Sequence, residues 1–107
     1  MRYEIELTAD SKRDLLALRS FERRNVLAAI ERHLRHEPTK ESQSRIKRLR
    51  ELARPQYRLR VDDIRIFYDI VDDVVEIIAV IAKAEAAGWL ARAGIPTAPD
   101  TAASGEE

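Results

Sequence analysis

The segment Tyr57–Asp69 constrains this chain more than any other. Tyr57, Leu59 and Val61 alternate with Arg58 and Arg60, and Ile64, Ile66, Tyr68 and Ile70 alternate with Arg65, Phe67 and Asp69. A period of two marks β-strands with one face toward a core. Asp62-Asp63 between the two runs is a turn signal. With those two residues as the loop, Val61 faces Ile64, Arg60 faces Arg65, Leu59 faces Ile66 and Arg58 faces Phe67. Side chains directly opposite lie on the same face, so Arg58, Arg60 and Arg65 share one side of the hairpin. Tyr57, Leu59, Val61, Ile64, Ile66 and Tyr68 take the other side, which suits a core. Arg60 opposite Arg65 opposes pairing by up to about 1 kcal/mol. A nearby carboxylate such as Asp69, or a bound anion, is expected to offset it. The arginine fork matches phosphate geometry, so the face is a candidate anion site. Lys47, Arg48, Arg50 and Arg54 lie just upstream and extend the candidate patch.

The flanking elements complete an α+β pattern. Tyr3, Ile5 and Leu7 alternate with charged residues and predict a strand. Thr8 or Asp10 caps a helix carrying Leu15, Leu16 and Leu18. Ser20 is the expected cap of a second helix, with Phe21, Val26, Leu27, Ile30 and Leu34, which closes before Pro38. The short join predicts an antiparallel helix pair. Residues 38–46 read as a polar loop, and Ile46 to Leu52 as a short helical turn or an irregular strand. Asp72-Asp73 is a second turn. Val74–Ile81 is apolar on both faces apart from Glu76, which predicts a central or doubly covered strand. Helix formers follow from Lys83, with Trp89 and Leu90 as an apolar anchor and Gly94 as C-cap. The expected order is a strand, a helix pair, a three-stranded antiparallel meander completing a mostly antiparallel sheet, and a short C-terminal helix. One domain is expected over residues 1–94, with a flexible tail over 95–107.

Composition narrows the function classes. Cysteine is absent, which removes thiolate chemistry and disulfides. His33 and His36 lack a third ligand and read as surface residues, so neither a metal nor another cofactor is expected. No apolar run approaches the roughly 20 residues that span a bilayer, and the N-terminus has no apolar signal region, so a cytoplasmic protein without membrane contact is expected. The formal net charge of zero conceals an asymmetry. Residues 1–65 hold 17 basic and 11 acidic side chains, whereas residues 66–107 hold 2 and 8. The basic part can attract phosphates although the whole chain is neutral.

The stretch from Tyr57 to Asp69 resembles the hairpin of the RelE/ParE toxin superfamily, and Ile46-Lys47-Arg48-Leu49-Arg50 resembles its basic lead-in. The resemblance covers roughly residues 2–92. It implies a toxin of a type II toxin–antitoxin system, partnered by a cognate antitoxin in a hetero-oligomer. The RelE-like form implies a ribosome-dependent, metal-independent endoribonuclease that cuts mRNA and inhibits translation. Arg58, Arg60 and Arg65 would then be catalytic, with Arg65 contacting the scissile phosphate. Lys47, Arg48, Arg50, Arg54 and Lys83 would bind RNA. Ala84 stands where RelE-like members carry an arginine, and Trp89 or Leu90 where they carry a tyrosine. Two alternatives follow from the same resemblance: a ParE-like inhibitor of DNA gyrase, or a toxin fold that only binds its antitoxin.

Overall fold

The computed structural model describes residues 1–97. The order of elements is β1 (Glu4–Leu7), α1 (Ala9–Ala17), α2 (Ser20–Leu34), β2 (Ile46–Arg48), β3 (Leu52–Arg54), β4 (Tyr57–Val61), β5 (Ile64–Val71), β6 (Val74–Ala82), α3 (Lys83–Ala93) and β7 (Ile95–Pro96). Five strands form one sheet in the order β1-β6-β5-β4-β2, and β3 pairs with β7 in a separate ribbon. β1 runs parallel to β6; the other ladders of the main sheet are antiparallel. The α+β class and the hairpin register follow the sequence pattern, with Arg60 opposite Arg65 and Arg58 opposite Phe67. Asp62 and Asp72 enter their turns with left-handed φ of 51° and 56°, a conformation that Asp tolerates better than most residues.

The core lies between the helix pair and one face of the sheet. Leu15, Val26, Ile30 and Leu34 pack on Leu59, Val61, Ile64, Ile66, Tyr68, Val75, Ile77 and Val80. β6 serves both faces because of a bulge. Phe67 faces Ala79 but Tyr68 faces Ile77, so Ile78 is an extra residue. Val75 and Ile77 enter the core before the bulge, and Val80 enters it afterwards. Thr8 secures this point: its hydroxyl donates to the Ile78 carbonyl at 3.1 Å, and it also caps α1 by accepting from Ser11 N. Asp14 then accepts from Val80 N at 2.9 Å, where β1 no longer covers that edge.

The helix pair is joined differently from the simplest reading. Arg19, not Ser20, occupies the N-cap of α2, and Glu22 accepts from its backbone N–H at 3.3 Å. Arg23 reaches back to the open C-terminal end of α1. Its Nε donates to Leu15 O at 2.9 Å, and its Nη2 to Leu16 O and Leu18 O at 3.2 and 2.9 Å. Leu15 O also accepts from Leu18 N at 3.2 Å, so Arg23 adds a second donor there and reaches the last carbonyls of the α1 end. A cation there also opposes the negative end of the helix dipole.

The segment around residues 46–54, left open between turn and strand, resolves into β2 and β3. Gly94 does end α3, but with φ of −68° rather than a left-handed turn. A Cβ there would lie 2.6 Å from Leu90 O, so close approach is what requires glycine. Ile95 and Pro96, expected to belong to a flexible tail, pair with β3 as β7. Residues 98–107 of that expected tail lie outside the described residues.

Replacing Arg23 by Met removes charged hydrogen bonds from the α1 terminus while keeping the aliphatic stem. Urea unfolding should show a loss of about 2 kcal/mol, with Arg23→Lys intermediate.

Candidate nucleic-acid interface

The sheet face away from the helix-pair core collects the basic residues. β2 pairs with β4 so that Lys47 lies opposite Arg58, and β4 pairs with β5 so that Arg60 lies opposite Arg65. Lys47, Arg58, Arg60 and Arg65 are therefore neighbours on one face. Their surroundings differ. Lys47 and Arg60 are exposed, Arg58 is half-buried, and Arg65 is only 7% exposed.

Burial assigns Arg65 a structural task. Its Nη1 donates to Asp62 O at 2.8 Å and to Ile64 O at 3.1 Å, which fixes the hairpin turn. Arg58 is in the opposite condition. Its Nε is buried and has no hydrogen-bond partner. A buried donor left without a partner costs about 1–3 kcal/mol. Burial lowers the pKa of the Arg58 guanidinium, and the positive charges of Arg65 and Arg60 lower it further. Arg65 is lowered by burial and then by Arg60, with Asp63 acting the other way. The cations repel one another, and an anion between them would relieve that repulsion.

The expected carboxylate partner is engaged elsewhere. Asp69 is 6% exposed and accepts from Arg54 Nη1 at 2.9 Å and from Gln56 N at 2.7 Å. Arg54 also donates to Glu76 at 3.0 Å. Those carboxylates raise the Arg54 pKa, Glu76 contributing most. Arg54 is thus engaged by two carboxylates, although its side chain remains 39% exposed. Arg50 pairs with Glu41 at 2.8 Å. Arg48 lies opposite Tyr57, with its guanidinium 5.1 Å from the ring centroid, on the face that Tyr57 shares with the core. Lys83 is exposed at the first turn of α3, where its backbone N–H donates to Asp63 O at 2.7 Å.

α3 covers part of the same face. Trp89 stacks on Phe67 with centroids 5.0 Å apart, so the expected apolar anchor sits on the basic side of the sheet rather than in the main core. Leu90 lines a cleft of about 480 Å³ with Lys47, Arg48, Leu49, Arg50 and Leu52. An adjoining hollow of about 490 Å³ is bounded by Glu41, Ser42, Gln43, Lys47 and Arg58. The sequence pattern did not single out Ser42 or Gln43, because a polar loop has no periodicity to betray its position.

This arrangement can bind a phosphate and stabilise added negative charge upon it. Arginine is a poor proton donor or acceptor near neutrality, so the cluster alone supplies no acid–base chemistry. Among the described residues no group of three or more His, Asp or Glu side chains gathers to hold a metal. No helix among them is long and apolar enough to cross a membrane.

Comparison with known proteins follows the same outline. The family model described as the ParE toxin of type II toxin–antitoxin system, parDE, matches residues 5–87. A chain of the RelBE2 toxin–antitoxin complex from Mycobacterium tuberculosis is 24% identical with a TM-score of 0.61, over 77% of this chain and 99% of that one. A chain of the archaeal RelE–RelB complex from Pyrococcus horikoshii OT3 is 22% identical with a TM-score of 0.63, over 78% and 97%. At these identities the likeness is one of fold. No curated protein gives a significant match.

The contrast between the two paired arginines is measurable. Arg65→Ala should cost about 1–3 kcal/mol in urea unfolding, because it removes a buried donor from the turn carbonyls. Arg60→Ala should change stability by under about 0.5 kcal/mol.

Proposed function

This chain belongs to the ParE toxin family of type II toxin–antitoxin systems, and we propose that a cognate antitoxin restrains it and that its basic sheet face acts on the phosphate backbone of mRNA in the ribosome. The observation that carries this reading is the half-buried Arg58, whose Nε lacks a partner beside Lys47, Arg60 and Arg65. The antitoxin partnership draws support from the two solved neighbours, each of which is a toxin–antitoxin complex.

In this reading Arg58, Arg60 and Lys47 hold the phosphate, and Arg65 positions the turn that carries Arg60. Attack of a ribose 2′-hydroxyl on the adjacent phosphorus forms one P–O bond and breaks the bond to the leaving 5′ oxygen. The arginines stabilise the extra charge that accumulates between those events. A proton must leave the hydroxyl and another must reach the leaving oxygen. Lys83 and Glu85, in the first turn of α3, are the titratable side chains this segment offers for those transfers.

A second reading is a ParE-like toxin that binds DNA gyrase without cutting RNA. It is favoured by the family whose model matches, and by Ala84 and Leu90 in the places where RelE-like members carry an arginine and a tyrosine.

Purified protein should be tested in parallel on programmed ribosomes and on gyrase supercoiling. The mRNA reading predicts cleavage in the A site, reduced about 100-fold or more by Arg58→Ala, with supercoiling unchanged. Intact mRNA with impaired supercoiling selects the gyrase reading. No effect in either assay, despite tight antitoxin binding, overturns both and leaves a binding module.

A further inference from the structure

A second basic hollow adjoins the sheet face. Two clefts, of about 360 and 230 Å³, lie between the C-terminal half of α2 and the 38–45 loop, and Arg32, His33 and Arg45 line both. Three surface arginines are paired, Arg13 with Asp10, Arg35 with Glu31 and Arg50 with Glu41, whereas the exposed Arg2, Arg19, Arg24, Arg60 and Arg92 make no ion pair among the described residues, so it is their place on one cleft that sets Arg32 and Arg45 apart. Arg32 and Arg45 have no ion pair among the described residues. Glu37 borders the larger cleft but sits 3.8 Å from Lys40, which borders it too. His33 is half-buried between the two arginines. Burial lowers its pKa, and Arg45 and Arg32 lower it further, which favours neutral His33 and leaves the positive charge of the clefts to the arginines and Lys40.

The loop that separates this hollow from the sheet face is firmly tied. Tyr68 donates its hydroxyl to Pro38 O at 2.6 Å from inside the core. Ser42 N donates to Ile46 O at 3.0 Å, and Ser42 Oγ accepts from Arg45 N at 3.0 Å. Arg60 N then donates to Arg45 O at 3.0 Å. Arg45 is therefore bonded through its backbone to a residue of the candidate interface, while its side chain lines the hollow.

We propose that Arg32 and Arg45, with His33 between them, form a second phosphate subsite, which continues a phosphodiester path from the sheet face across Ser42–Arg45 onto α2. The inference rests on the reading that the sheet face takes a nucleic acid. The ligand chemistry is a polyanionic backbone with successive phosphates, either single-stranded RNA or duplex DNA. An isolated anion would have no reason to engage both places.

The test is fluorescence anisotropy of the full chain with a labelled single-stranded RNA 12-mer and, separately, a 12-base-pair DNA duplex, each over a series of salt concentrations. Each lost phosphate contact should reduce the slope of log K against log[salt] by about 0.7 for single strands and about 0.9 for duplex. Arg32→Ala/Arg45→Ala should therefore lower the slope by about one to two contacts and weaken binding several-fold, with an unchanged melting temperature. Arg58→Ala should do so independently. The probe that shows the larger loss identifies the source of the backbone. If Arg58→Ala weakens binding and the double variant does not, the second subsite is overturned and the sheet face stands. If only the double variant weakens binding, the sheet-face reading fails and the continuous path with it, which leaves an isolated anion site beside α2. An equal loss with Arg13→Ala, on α1, overturns the inference by showing that only net charge matters. Absence of salt-dependent binding to both probes overturns both readings.

Discussion

Burial of both faces of β5 is the constraint on which the rest of the structure depends. From Ile64 to Asp69 every residue is buried, although side chains alternate between the two sides of the sheet. Ile64, Ile66 and Tyr68 meet the helix-pair core. Arg65, Phe67 and Asp69 lie on the other side, and each must be satisfied separately. Phe67 is covered by Trp89, Asp69 by Arg54 and Gln56 N, and Arg65 by the turn carbonyls. A buried charge without partners would cost several kcal/mol, so these contacts come as a set. They explain why α3 lies where it does and why β3 carries an arginine.

The same constraint divides the basic residues by role. Those in the middle of the sheet serve the fold, and those toward β2 remain available. Arg65, in the middle of the sheet, falls in the first group, joined by Arg54 from the separate β3 ribbon; Arg58, Arg60 and Lys47 fall in the second. Charge alone would have ranked all five alike. The distinction comes from which strand is covered by α3, and the cover ends at β4. The boundary between structural and accessible arginine therefore runs through the hairpin itself.

Much of this was legible in the sequence because strands and turns are local. The hairpin register needed only alternation and a two-residue turn, and the face shared by Arg58, Arg60 and Arg65 followed from it. Long-range facts were not legible. Nothing in the pattern around Asp69 indicates that Arg54, fifteen positions earlier, will take it. Nothing in Val74–Ile81 marks Ile78 as a bulge, since a run apolar on both faces reads the same with or without a shift of register. The Arg23 contacts with the end of α1 were equally hidden, because a cation on a helix usually means only a solvated face. The 38–45 loop had no period, so the side chains it places beside Lys47 and Arg58 could be located only in three dimensions.

Tyr68 has a consequence beyond packing. It is fully buried, it stacks on Tyr57, and burial pushes its phenol well up from the usual range, so it stays a neutral donor to Pro38 O. The loop between α2 and β2 is thereby moored to the buried core. The interval between the sheet cations and those of α2 is set by the core, as on a ruler. A flexible polyanion can adjust its own torsions to that interval. A stiff ligand meets it only if its charges already repeat at the same spacing, so selection among ligands would act through backbone geometry and not through base identity.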